Sequence, residues 1–430
     1  MLTLEQALER LLAVASRHVL HETETLATFD ALHRVLAQGV QATLDVPPAD
    51  NTSMDGYALR AADVPAAGTV LPVAQRIPAG MVGTTLAPGT AARIFTGAQV
   101  PAGADAVVMQ EQCTALEGGR VRVDTVPVAG QWIRRRGEDI AQGACVLAPG
   151  ARLTPQALGL AASVGRATLT LRRRPRVAVF STGDELAMPG EPLKPGAIYN
   201  SNRYTLRGLL QAAGCEVTDL GIVPDRLEAT RAALRQAAVA HDLILTSGGV
   251  SVGEEDHLRP AMLAEGRLDL WQVAIKPGKP LAFGAVRRGG AEQAAQAGPP
   301  AGAPDNFTTA SPAGTNEALF IGLPGNPVSS FVTFLVAVAP VLRALQGMPA
   351  VEAPCVPMRA DFDWPRPDRR REFLRVRVNA TGGVELYPNQ SSGVLTSTVW
   401  ADGLLDNPPG RAIARGDTVQ VRWLQEMIAQ

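Results

Sequence analysis

Glycine, serine and acidic residues follow a strongly apolar run near the middle of the chain. The segment TSGGVSVGEEDH, Thr246–His257, comes directly after the apolar residues LIL. Glycines in such a loop let backbone N–H groups approach an anion closely, and Ser247 and Ser251 add hydroxyl donors. An ordinary turn does not need this composition, so we interpret the loop as one wall of an anion-binding site.

Loops of similar composition follow the other apolar runs in this half of the chain. STGDEL follows VAVF, PD follows LGIV, KPGKP follows QVAI, and LPGNPVSS follows LFIG. Lys276 and Lys279 provide ammonium groups in the third loop. In the fourth, Gly325-Asn326-Pro327 leads into a helix whose N-terminus can receive phosphate. Each loop alone is a weak signal, because turns and caps use the same residues, but together they predict a site for a phosphate-bearing ligand.

Carboxylates in the same loops need a separate explanation, since they repel an anion. They are Asp184, Glu185, Asp225 and Asp256. Such groups fit an anion site when they hold a divalent cation or a polar heterocycle, and Mg²⁺ can bridge carboxylates and phosphate oxygens. We therefore predict that these carboxylates include the ligands of a magnesium site.

The segments that must position these loops alternate between strand and helix patterns from Pro175 onward. Strands are predicted at RVAVFSTG, CEVTDLGIV, DLILTSGG, DLWQVAI, PLAFGAV and ALFIGLPG, and helices at NRYTLRGLLQAAG, RLEATRAALRQAAVAH and NPVSSFVTFLVAVAPVLRALQG. Strands that are apolar on both faces indicate a mostly parallel sheet covered on both sides. In a doubly wound α/β domain of this kind, ligands bind beyond the carboxyl ends of the strands.

The rest of the chain predicts three further parts. The N-terminal segment is helical in pattern, including ATFDALHRVLAQGV, and TPQALGLAASVG is a helix with Thr154 as its N-cap. Short alternating runs predict a β-rich module in between, and FLRVRVN with VELYPN predicts a hairpin in a small C-terminal β-barrel domain. The predicted fold is thus multidomain α/β, with boundaries at 1–45 with 144–173 (helical and elongated), 46–143 (inserted β-rich module), 174–348 (α/β domain) and 349–430 (C-terminal β domain).

Composition excludes several other classes of protein. A formal net charge of −1 argues against a surface dominated by nucleic-acid binding. The four cysteines lie far apart without zinc-site spacing, which favours reduced thiols. The N-terminus is too charged for a signal peptide, and the apolar run Phe331–Leu342 is too short to span a membrane. Residues 288–316, poor in aliphatic side chains, predict a disordered insertion. We expect a cytoplasmic protein.

The β-rich module carries polar motifs of its own. PPADNTSMDGYALR, Pro47–Arg60, brings several acids and amides around Met54, and IFTGAQVP places Thr96 after a short strand. QWIRRRGEDI sets three arginines against Glu138 and Asp139. Turns and a surface ion-pair network explain these residues as well as a binding role does, and the residues alone leave both interpretations open.

Taken in order, the motifs resemble those of the molybdopterin molybdenumtransferase family, to which MoeA and the E-domain of gephyrin belong. The resemblance covers the chain from about Leu4 to Val421. Three features depart from the family pattern: Ala49 stands where an aromatic residue is common, Glu255 replaces a tyrosine, and the 288–316 insertion is atypical. The motifs that carry the resemblance are NTSMDGYA, RIFTGAQVPAGADAVVMQE, IRRRGEDI, STGDEL, TSGGVSVGEED, KPGKPLAFG and LPGNPVSS.

The resemblance implies an activity and a set of site residues. Family members insert molybdenum from molybdate into adenylylated molybdopterin with release of AMP, and they are elongated homodimers in which the partner subunit completes the site. The residues matched to catalytic positions are Asp55, Thr96, Asp139, Glu185, Asp256, Lys276 and Lys279. The expected cofactor-binding residues are Thr182, Gly183, Asp225, Ser247, Gly248, Gly249, Val250, Ser251, Pro324, Gly325, Asn326, Pro327, Arg371 and Ser392.

On this basis each group receives an expected role. Lys276, Lys279 and the 247–251 loop would hold the oxyanion, Glu185 and Asp256 would hold Mg²⁺ or orient a water, and Asp225 would bind the pterin. Two other readings stay open: an adenylyltransferase of the same pathway, and a non-enzymatic scaffold that clusters other cofactor-biosynthesis enzymes. The choice between molybdate and tungstate, and the identity of the base, are left open by the sequence.

Overall fold

The computed structural model describes residues 1–250, 257–289, 316–350 and 354–429. The predicted insertion lies almost entirely outside these ranges, as do Ser251 and Asp256.

The N-terminal part begins with a well-capped helix. Thr3 Oγ1 accepts a hydrogen bond from the Gln6 backbone N–H at 3.3 Å, and Gln6 Oε1 accepts one from the Thr3 N–H at 3.1 Å, which together form a capping box. The helix buries Leu4, Ala7 and Leu11 against the central domain. The elements of this part are helix α1 (Leu4–Ala15) and strands β1 (Thr23–Ala27) and β2 (Val40–Gln41).

The β-rich part follows, and after it the chain returns to the first part. Its main sheet has the order β7-β4-β6-β5-β9-β8. The elements are β3 (Asn51–Thr52), β4 (Gly56–Leu59), β5 (Thr69–Ile77), β6 (Ala91–Ile94), β7 (Ala106–Met109), β8 (Cys113–Leu116), β9 (Arg120–Val123), β10 (Ile133–Arg134), β11 (Cys145–Leu147), α2 (Pro155–Ser163) and β12 (Thr168–Arg172).

One sequence prediction for the N-terminal part is wrong. ATFDALHRVLAQGV is not a helix: its first residue ends strand β1, and its last, Val40, begins β2. The reason is tertiary pairing, since β1 pairs antiparallel with β12 and β2 with β11. The predicted helix at TPQALGLAASVG is confirmed, with the Ala157 N–H donating to Thr154 Oγ1 at 3.3 Å.

The central part is a doubly wound α/β domain, as predicted. Its six-stranded sheet has the order β16-β13-β17-β21-β20-β18, in which the first four strands are parallel, β20 is antiparallel to β21, and β18 is antiparallel to β20. The elements are β13 (Arg176–Thr182), β14 (Leu186–Ala187), β15 (Ile198–Tyr199), α3 (Ser201–Ala212), β16 (Glu216–Val223), α4 (Leu227–Ala240), β17 (Leu243–Ser247), α5 (Leu258–Glu265), β18 (Gly266–Gln272), β19 (Ile275–Lys276), β20 (Pro280–Arg287), β21 (Glu317–Leu323), α6 (Pro327–Thr333), a π-helical turn (Phe334–Val338) and α7 (Ala339–Leu345).

Helices cover both faces of this sheet. Helices α1, α3 and the composite helix α6–α7 share one apolar core with the sheet, and α4 and α5 share another on the opposite face. The composite helix Pro327–Leu345 is long and apolar enough to cross a membrane, but most of it is buried inside the protein, which is the environment of a core helix. The predicted single strand DLWQVAI is divided, because its end (β19) leaves the sheet.

The C-terminal part is a small β barrel that takes in β19. The sheet order is β19-β23-β25-β26-β22, with β24 on the other side of β23. A bridge between Ala360 and Val384, next to β22 and on β24, closes the barrel. The predicted hairpin is confirmed as β23 with β24. The elements are β22 (Val356–Arg359), β23 (Arg371–Val378), β24 (Val384–Leu386), α8 (Thr396–Trp400), β25 (Gly403–Asn407), β26 (Thr418–Trp423) and α9 (Leu424–Ala429).

Candidate functional site

The strand order predicts a crevice at the carboxyl edge of the central sheet, between β13 and β17, where the chain changes direction. From β13 the chain passes to β16 on one side and then returns to β17 on the other. Doubly wound sheets bind ligands at such a switch point, because the loops that leave the two central strands part there. Thr182-Gly183 and Gly248-Gly249 flank the crevice, directly after β13 and β17.

The two glycines after β17 have conformations and surroundings that exclude a side chain. Gly248 has a φ of +93° and Gly249 a φ of +65°. A Cβ atom on Gly248 would lie 2.6 Å from the Thr182 carbonyl oxygen, and one on Gly249 would lie 2.7 Å from Thr182 Oγ1. The backbone of this loop is therefore held against β13. Val250 is buried in the hydrophobic core, so its side chain does not face the crevice.

Asn202, which sequence reasoning missed, connects two of the loops. Its Nδ2 donates to Ser247 Oγ and to the Gly325 carbonyl oxygen, both at 2.7 Å. Asn202 occupies the first turn of α3, whose N-cap is Asn200. The run Asn200-Ser201-Asn202 at a helix start could have drawn attention to it, but its partners lie 45 and 123 residues away.

The last parallel strand leads into the long composite helix through Pro324-Gly325-Asn326-Pro327. Pro327 occupies the first helical position, and the Asn326 side chain makes no capping hydrogen bond. The Val328 N–H donates to the Ser392 carbonyl oxygen at 3.0 Å, which places the C-terminal barrel beside the helix start. Gly325 and Asn326 are exposed, so this loop is accessible to a ligand.

Several hydroxyl groups near this edge are buried without a hydrogen-bond partner among the described residues. Two of these hydroxyl groups lie at the ends of the central strands β13 and β17. The other two lie in the first two turns of the composite helix. Buried hydroxyls normally have partners, because an unpaired one costs free energy. A polar ligand in the crevice would be one source of acceptors for those that face it. These residues are Thr182, Thr246, Ser330 and Thr333.

The carboxylates at this edge lie after β13 and β16. Glu185 is exposed and Asp225 half-buried, and the Asp225 N–H donates to Asp184 Oδ1 at 3.3 Å. Asp256, the second predicted metal ligand, lies outside the described residues, and within them no cluster of three or more acids, histidines or cysteines could hold a metal alone. Mg²⁺ commonly uses one or two protein carboxylates together with substrate phosphates, so an exposed Glu185 fits such an ion.

The loop between β18 and β20 concentrates the lysines of the chain. Only three of the 40 basic residues are lysines, Lys194, Lys276 and Lys279. Because β20 is antiparallel to β21, its start lies at the carboxyl edge of the parallel strands. Lys279 is exposed and has no ion-pair partner within the described ranges. Its ammonium group is available to an anion.

Lys276 differs from Lys279, because the C-terminal barrel holds it. Its Nζ lies 3.3 Å from Glu372 Oε1 and 3.5 Å from Asp368 Oδ2. Sequence reasoning missed both acids. Arg371, on the same strand as Glu372, is also held: it makes a bidentate pair with Asp406 at 2.6 and 2.7 Å and a further ion pair with Glu5.

The predicted residues of the β-rich module form a separate group. Thr96 donates to Asp55 Oδ1 from its N–H at 2.7 Å and from its hydroxyl at 2.6 Å. The hydroxyl bond, followed by the N–H bond, lowers the pKa of Asp55. The two residues meet because β4 and β6 are paired. Both belong to a different sheet from the crevice.

The three arginines of QWIRRRGEDI do not pair with Asp139. Arg135 pairs with Asp50 at 2.7 Å and Arg136 with Asp45 at 2.5 Å, so these two guanidinium groups form ion pairs with acids on either side of Pro47. Asp139 is exposed, and its backbone N–H donates to the Val46 carbonyl oxygen at 3.0 Å.

Among the described residues, the loops after β13, β16, β17 and β21 and the loop before β20 therefore meet one edge of the central sheet. Asp225 follows β16 at one end, and Lys279 precedes β20 four strands away. Four strand spacings correspond to about 19 Å. An edge of this length suits an elongated ligand of dinucleotide size.

Three family models match the chain. The MoeA N-terminal region (domain I and II) matches residues 2–165, a probable molybdopterin binding domain matches residues 178–344, and the MoeA C-terminal region (domain IV) matches residues 357–424. The second match contains the crevice and both lysines of KPGKP.

Curated relatives match over most of the chain. A molybdopterin molybdenumtransferase of Haemophilus influenzae is 41% identical and aligns with 81% of this chain and 78% of its own. The Bacillus subtilis protein of the same name is 34% identical over 96% of this chain and 93% of its own.

A solved structure gives the same result for the fold. The molybdopterin biosynthesis moeA protein of Pyrococcus horikoshii is 26% identical and superposes with a TM-score of 0.80 over 98% of this chain and 100% of its own. Together with the relatives, this similarity extends from the first helix to the C-terminal barrel. The chain belongs to the molybdopterin molybdenumtransferase family.

Proposed function

We propose that this chain inserts molybdenum from molybdate into adenylylated molybdopterin and releases AMP, with Mg²⁺ bound at the site. Family membership makes it an enzyme, a transferase of molybdenum cofactor biosynthesis. The observation that best supports the finer statement is the convergence of the switch-point crevice, the start of the composite helix and Lys279 on one edge about 19 Å long. An adenylylated pterin is elongated and carries phosphates, so it matches this edge in shape and charge.

The phosphates of the substrate would lie over the crevice. Gly248 and Gly249 let backbone N–H groups approach closely, and the open helix start at Gly325-Asn326 favours negative charge. Thr182 would give its unpaired hydroxyl to a phosphate oxygen. Ser251 and Asp256 keep their predicted roles in this proposal, although both lie outside the described residues.

The oxyanion would lie towards the lysine loop. Molybdate is a dianion, and a cation close to its oxygens offsets much of the cost of removing it from water. Lys279 provides that cation without competition from a carboxylate, and Lys276 adds a second one. Arg371 is occupied by Asp406 and Glu5, so its contribution would be to the local field.

Bound Mg²⁺ would supply charge neutralisation for cleavage of the phosphoanhydride. Glu185, with Asp256, would hold it, and Asp225 would contact the pterin at the other end of the edge. The positions of Glu185 after β13 and of Asp225 after β16 support these assignments.

We further propose that the active form is a homodimer and that the Asp55–Thr96 pair and Asp139 act on the crevice of the partner subunit. Their location in a separate sheet supports this idea, because the described side-chain hydrogen bonds of Asp55 and Thr96 are with each other and not with the central domain. We also propose that the protein acts in the cytoplasm.

The direct test measures AMP release and molybdenum incorporation by the purified protein with adenylylated molybdopterin, molybdate and Mg²⁺. Lys279→Ala should raise the KM for molybdate about thirtyfold, the loss expected for a charge-assisted contact. Lys194→Ala is the matched control, because Lys194 is exposed and lies in the loop between β14 and β15. An unchanged KM in Lys279→Ala would contradict the oxyanion assignment.

A second incubation separates the two enzyme readings. With ATP and molybdopterin as the only substrates, net formation of adenylylated molybdopterin would instead indicate an adenylyltransferase. Release of AMP that depends on molybdate would support the transferase.

A further inference from the structure

The loop that carries Lys276 is shared by three parts of the chain. Val273 forms a bridge with Leu2, and the Ala274 N–H donates to the Leu2 carbonyl oxygen at 2.8 Å. On the other side, the Arg371 N–H donates to the Ala274 carbonyl oxygen at 3.1 Å, and β19 pairs with β23 of the barrel. The barrel therefore fixes the backbone of a loop that belongs, by its position in the chain, to the α/β domain.

The same pairing brings a barrel carboxylate against the Lys276 ammonium group. Lys276 lies opposite Glu372 in the parallel register, and Nζ is 3.3 Å from Glu372 Oε1. Asp368 Oδ2 lies 3.5 Å from the same Nζ, but this carboxylate is already paired with Arg370 at 2.8 Å. Both acids pair with Lys276, but Glu372 has no other ion pair among the described residues.

Glu372 is buried completely, whereas the Lys276 side chain is 39% exposed. A buried carboxylate is costly unless donors surround it. Besides Lys276, Trp364 Nε1 donates to Glu372 Oε2 at 2.9 Å and Asn407 Nδ2 donates to the same oxygen at 3.2 Å. The carboxylate is thus held rigidly from inside the barrel, with one oxygen turned to Lys276.

We propose that Glu372 is a positioning residue, which holds the Lys276 ammonium group at the place where it meets the oxyanion. The proposal rests on the proposed function, since it assumes that Lys276 contacts molybdate. A lysine side chain has several rotatable bonds, so it loses rotamer entropy when it is ordered. Glu372 removes that freedom in advance, so that binding of the anion does not have to.

The proposal also explains a difference between the two lysines. Lys279 is exposed and unpaired within the described ranges, so its approach to the anion is flexible. Lys276 is fixed by a second domain and gives the site a cation of defined position. The C-terminal barrel thereby contributes to oxyanion binding through Lys276, without itself contacting the reacting atoms.

The test must separate the position of the carboxylate from its charge. Glu372→Asp keeps the charge but shortens the side chain by one methylene, so the carboxylate no longer reaches Nζ. We expect the KM for molybdate to rise about tenfold, as for loss of a hydrogen bond to a charged group, with kcat changed less than about twofold. Glu385→Asp is the control, because Glu385 lies on the neighbouring strand β24 and pairs with Arg377, away from Lys276.

A double-mutant cycle with Lys276→Met shows whether Glu372 acts through the lysine. In the Lys276→Met background, Glu372→Asp should not change the KM further, because the group that it positions is absent. Thermal unfolding is measured in parallel. If Glu372→Asp does not fold, Glu372→Gln, which has nearly the same volume, replaces it in the same cycle.

Two results would overturn the proposal. One is a wild-type KM in Glu372→Asp or in Lys276→Met, and the other is an effect of Glu372→Asp that adds fully to that of Lys276→Met. Failure of the proposed function itself gives a different result. The wild-type protein would then release no AMP in the presence of molybdate, and the positioning role of Glu372 would fall together with the proposed function.

Discussion

Two groups of polar side chains on opposite edges of the central sheet behave in opposite ways. At the amino edge, the Asp242 carboxylate is matched: Arg173 forms a bidentate pair with it at 2.7 and 2.8 Å, and the Arg176 N–H donates to the same carboxylate at 2.8 Å. At the carboxyl edge, the Thr182 hydroxyl and the Lys279 ammonium group have no hydrogen-bond or ion-pair partner among the described residues. Matched groups stabilise the fold, whereas unmatched groups are available to a ligand.

The comparison shows why composition alone does not locate the site. Arginines and aspartates occur at both edges, and the number of charges does not separate them. What separates the Asp242 carboxylate from the Thr182 hydroxyl and the Lys279 ammonium group is whether the polar group has a partner among the described residues. The predictions that follow test this difference, beginning with the largest expected effect.

The amino edge should control stability and not turnover. In Asp242→Asn, the Arg173 guanidinium, which is 11% exposed, loses its bidentate partner. Removing one partner of a largely buried pair should lower the free energy of unfolding by about 3 kcal/mol, measured in urea, while turnover per folded molecule stays unchanged. Asp269→Asn is the control, because its pair with Arg267 is exposed and should contribute under about 1 kcal/mol. A loss of turnover in folded Asp242→Asn would break the comparison.

At the carboxyl edge, Gly248→Ala should lower turnover about a hundredfold. The new Cβ would lie 2.6 Å from the Thr182 carbonyl oxygen, and the φ of +93° is unfavourable for alanine, so the loop must shift. Gly208→Ala is the control, since Gly208 lies in helix α3 with no atom within 4 Å of an added Cβ. That change should stabilise the helix by about 0.5–1 kcal/mol and leave turnover unchanged. Full turnover in Gly248→Ala would show that this loop does not need its observed conformation.

The amino edge should also make stability depend on pH. Burial lowers the pKa of His241 to about 4, below the usual value of about 6.5. The unfolded chain therefore binds a proton first as the pH falls, and stability is full above about pH 6.5 and is lost towards pH 4. Between pH 7 and pH 5 this histidine should account for a loss of about 2 kcal/mol. His241→Gln should flatten the curve over that range in urea unfolding, and an unchanged slope would contradict the assignment.

The smallest expected effects come from removing single hydroxyl groups. The comparison is between the Thr182 hydroxyl, which has no described partner, and the Thr230 hydroxyl, which has one. Thr182→Val removes a buried hydroxyl without a described partner, so stability should stay the same or rise by up to about 1 kcal/mol, while turnover falls about tenfold. In Thr230→Val the lost hydroxyl donates to the Arg226 carbonyl oxygen at 3.1 Å. This control should lose about 1 kcal/mol of stability at full turnover. The reverse pattern would mean that the Thr182 hydroxyl serves the fold.

Much of the central domain was predictable because its signals are local. Each strand is a short apolar run and each helix has its own spacing, so RVAVFSTG and DLILTSGG were assigned correctly as β13 and β17. The position of their loops followed from the rule that parallel strands end at one edge. ATFDALHRVLAQGV failed because its helical spacing was overruled by the pairing of β1 with β12, a partner about 140 residues away. The four-part division of the chain stays a prediction, which the pairing of β2 with β11 supports.

The parts of the site that escaped prediction depend on distant contacts. Asn202 joins Ser247 to Gly325, and Glu372 meets Lys276 across 96 residues of sequence. The motif KPGKP does not distinguish its two lysines. In the part of the chain that the structure describes, the C-terminal barrel holds Lys276 and does not hold Lys279. The arginines of QWIRRRGEDI were adjacent in sequence to Glu138 and Asp139, but their side chains pair with Asp45 and Asp50.

By itself, the sequence determined the class of the central domain, the loops that end its strands and the kind of ligand that such loops can bind. These properties follow from apolar periodicity and from the chemistry of individual residue types, which every short segment carries within it. Only the tertiary structure decided which of those polar groups are free and which are occupied. The hydrogen-bond or ion-pair partner of such a group comes from another part of the chain. Which residue it is depends on how the sheets and the barrel pack together.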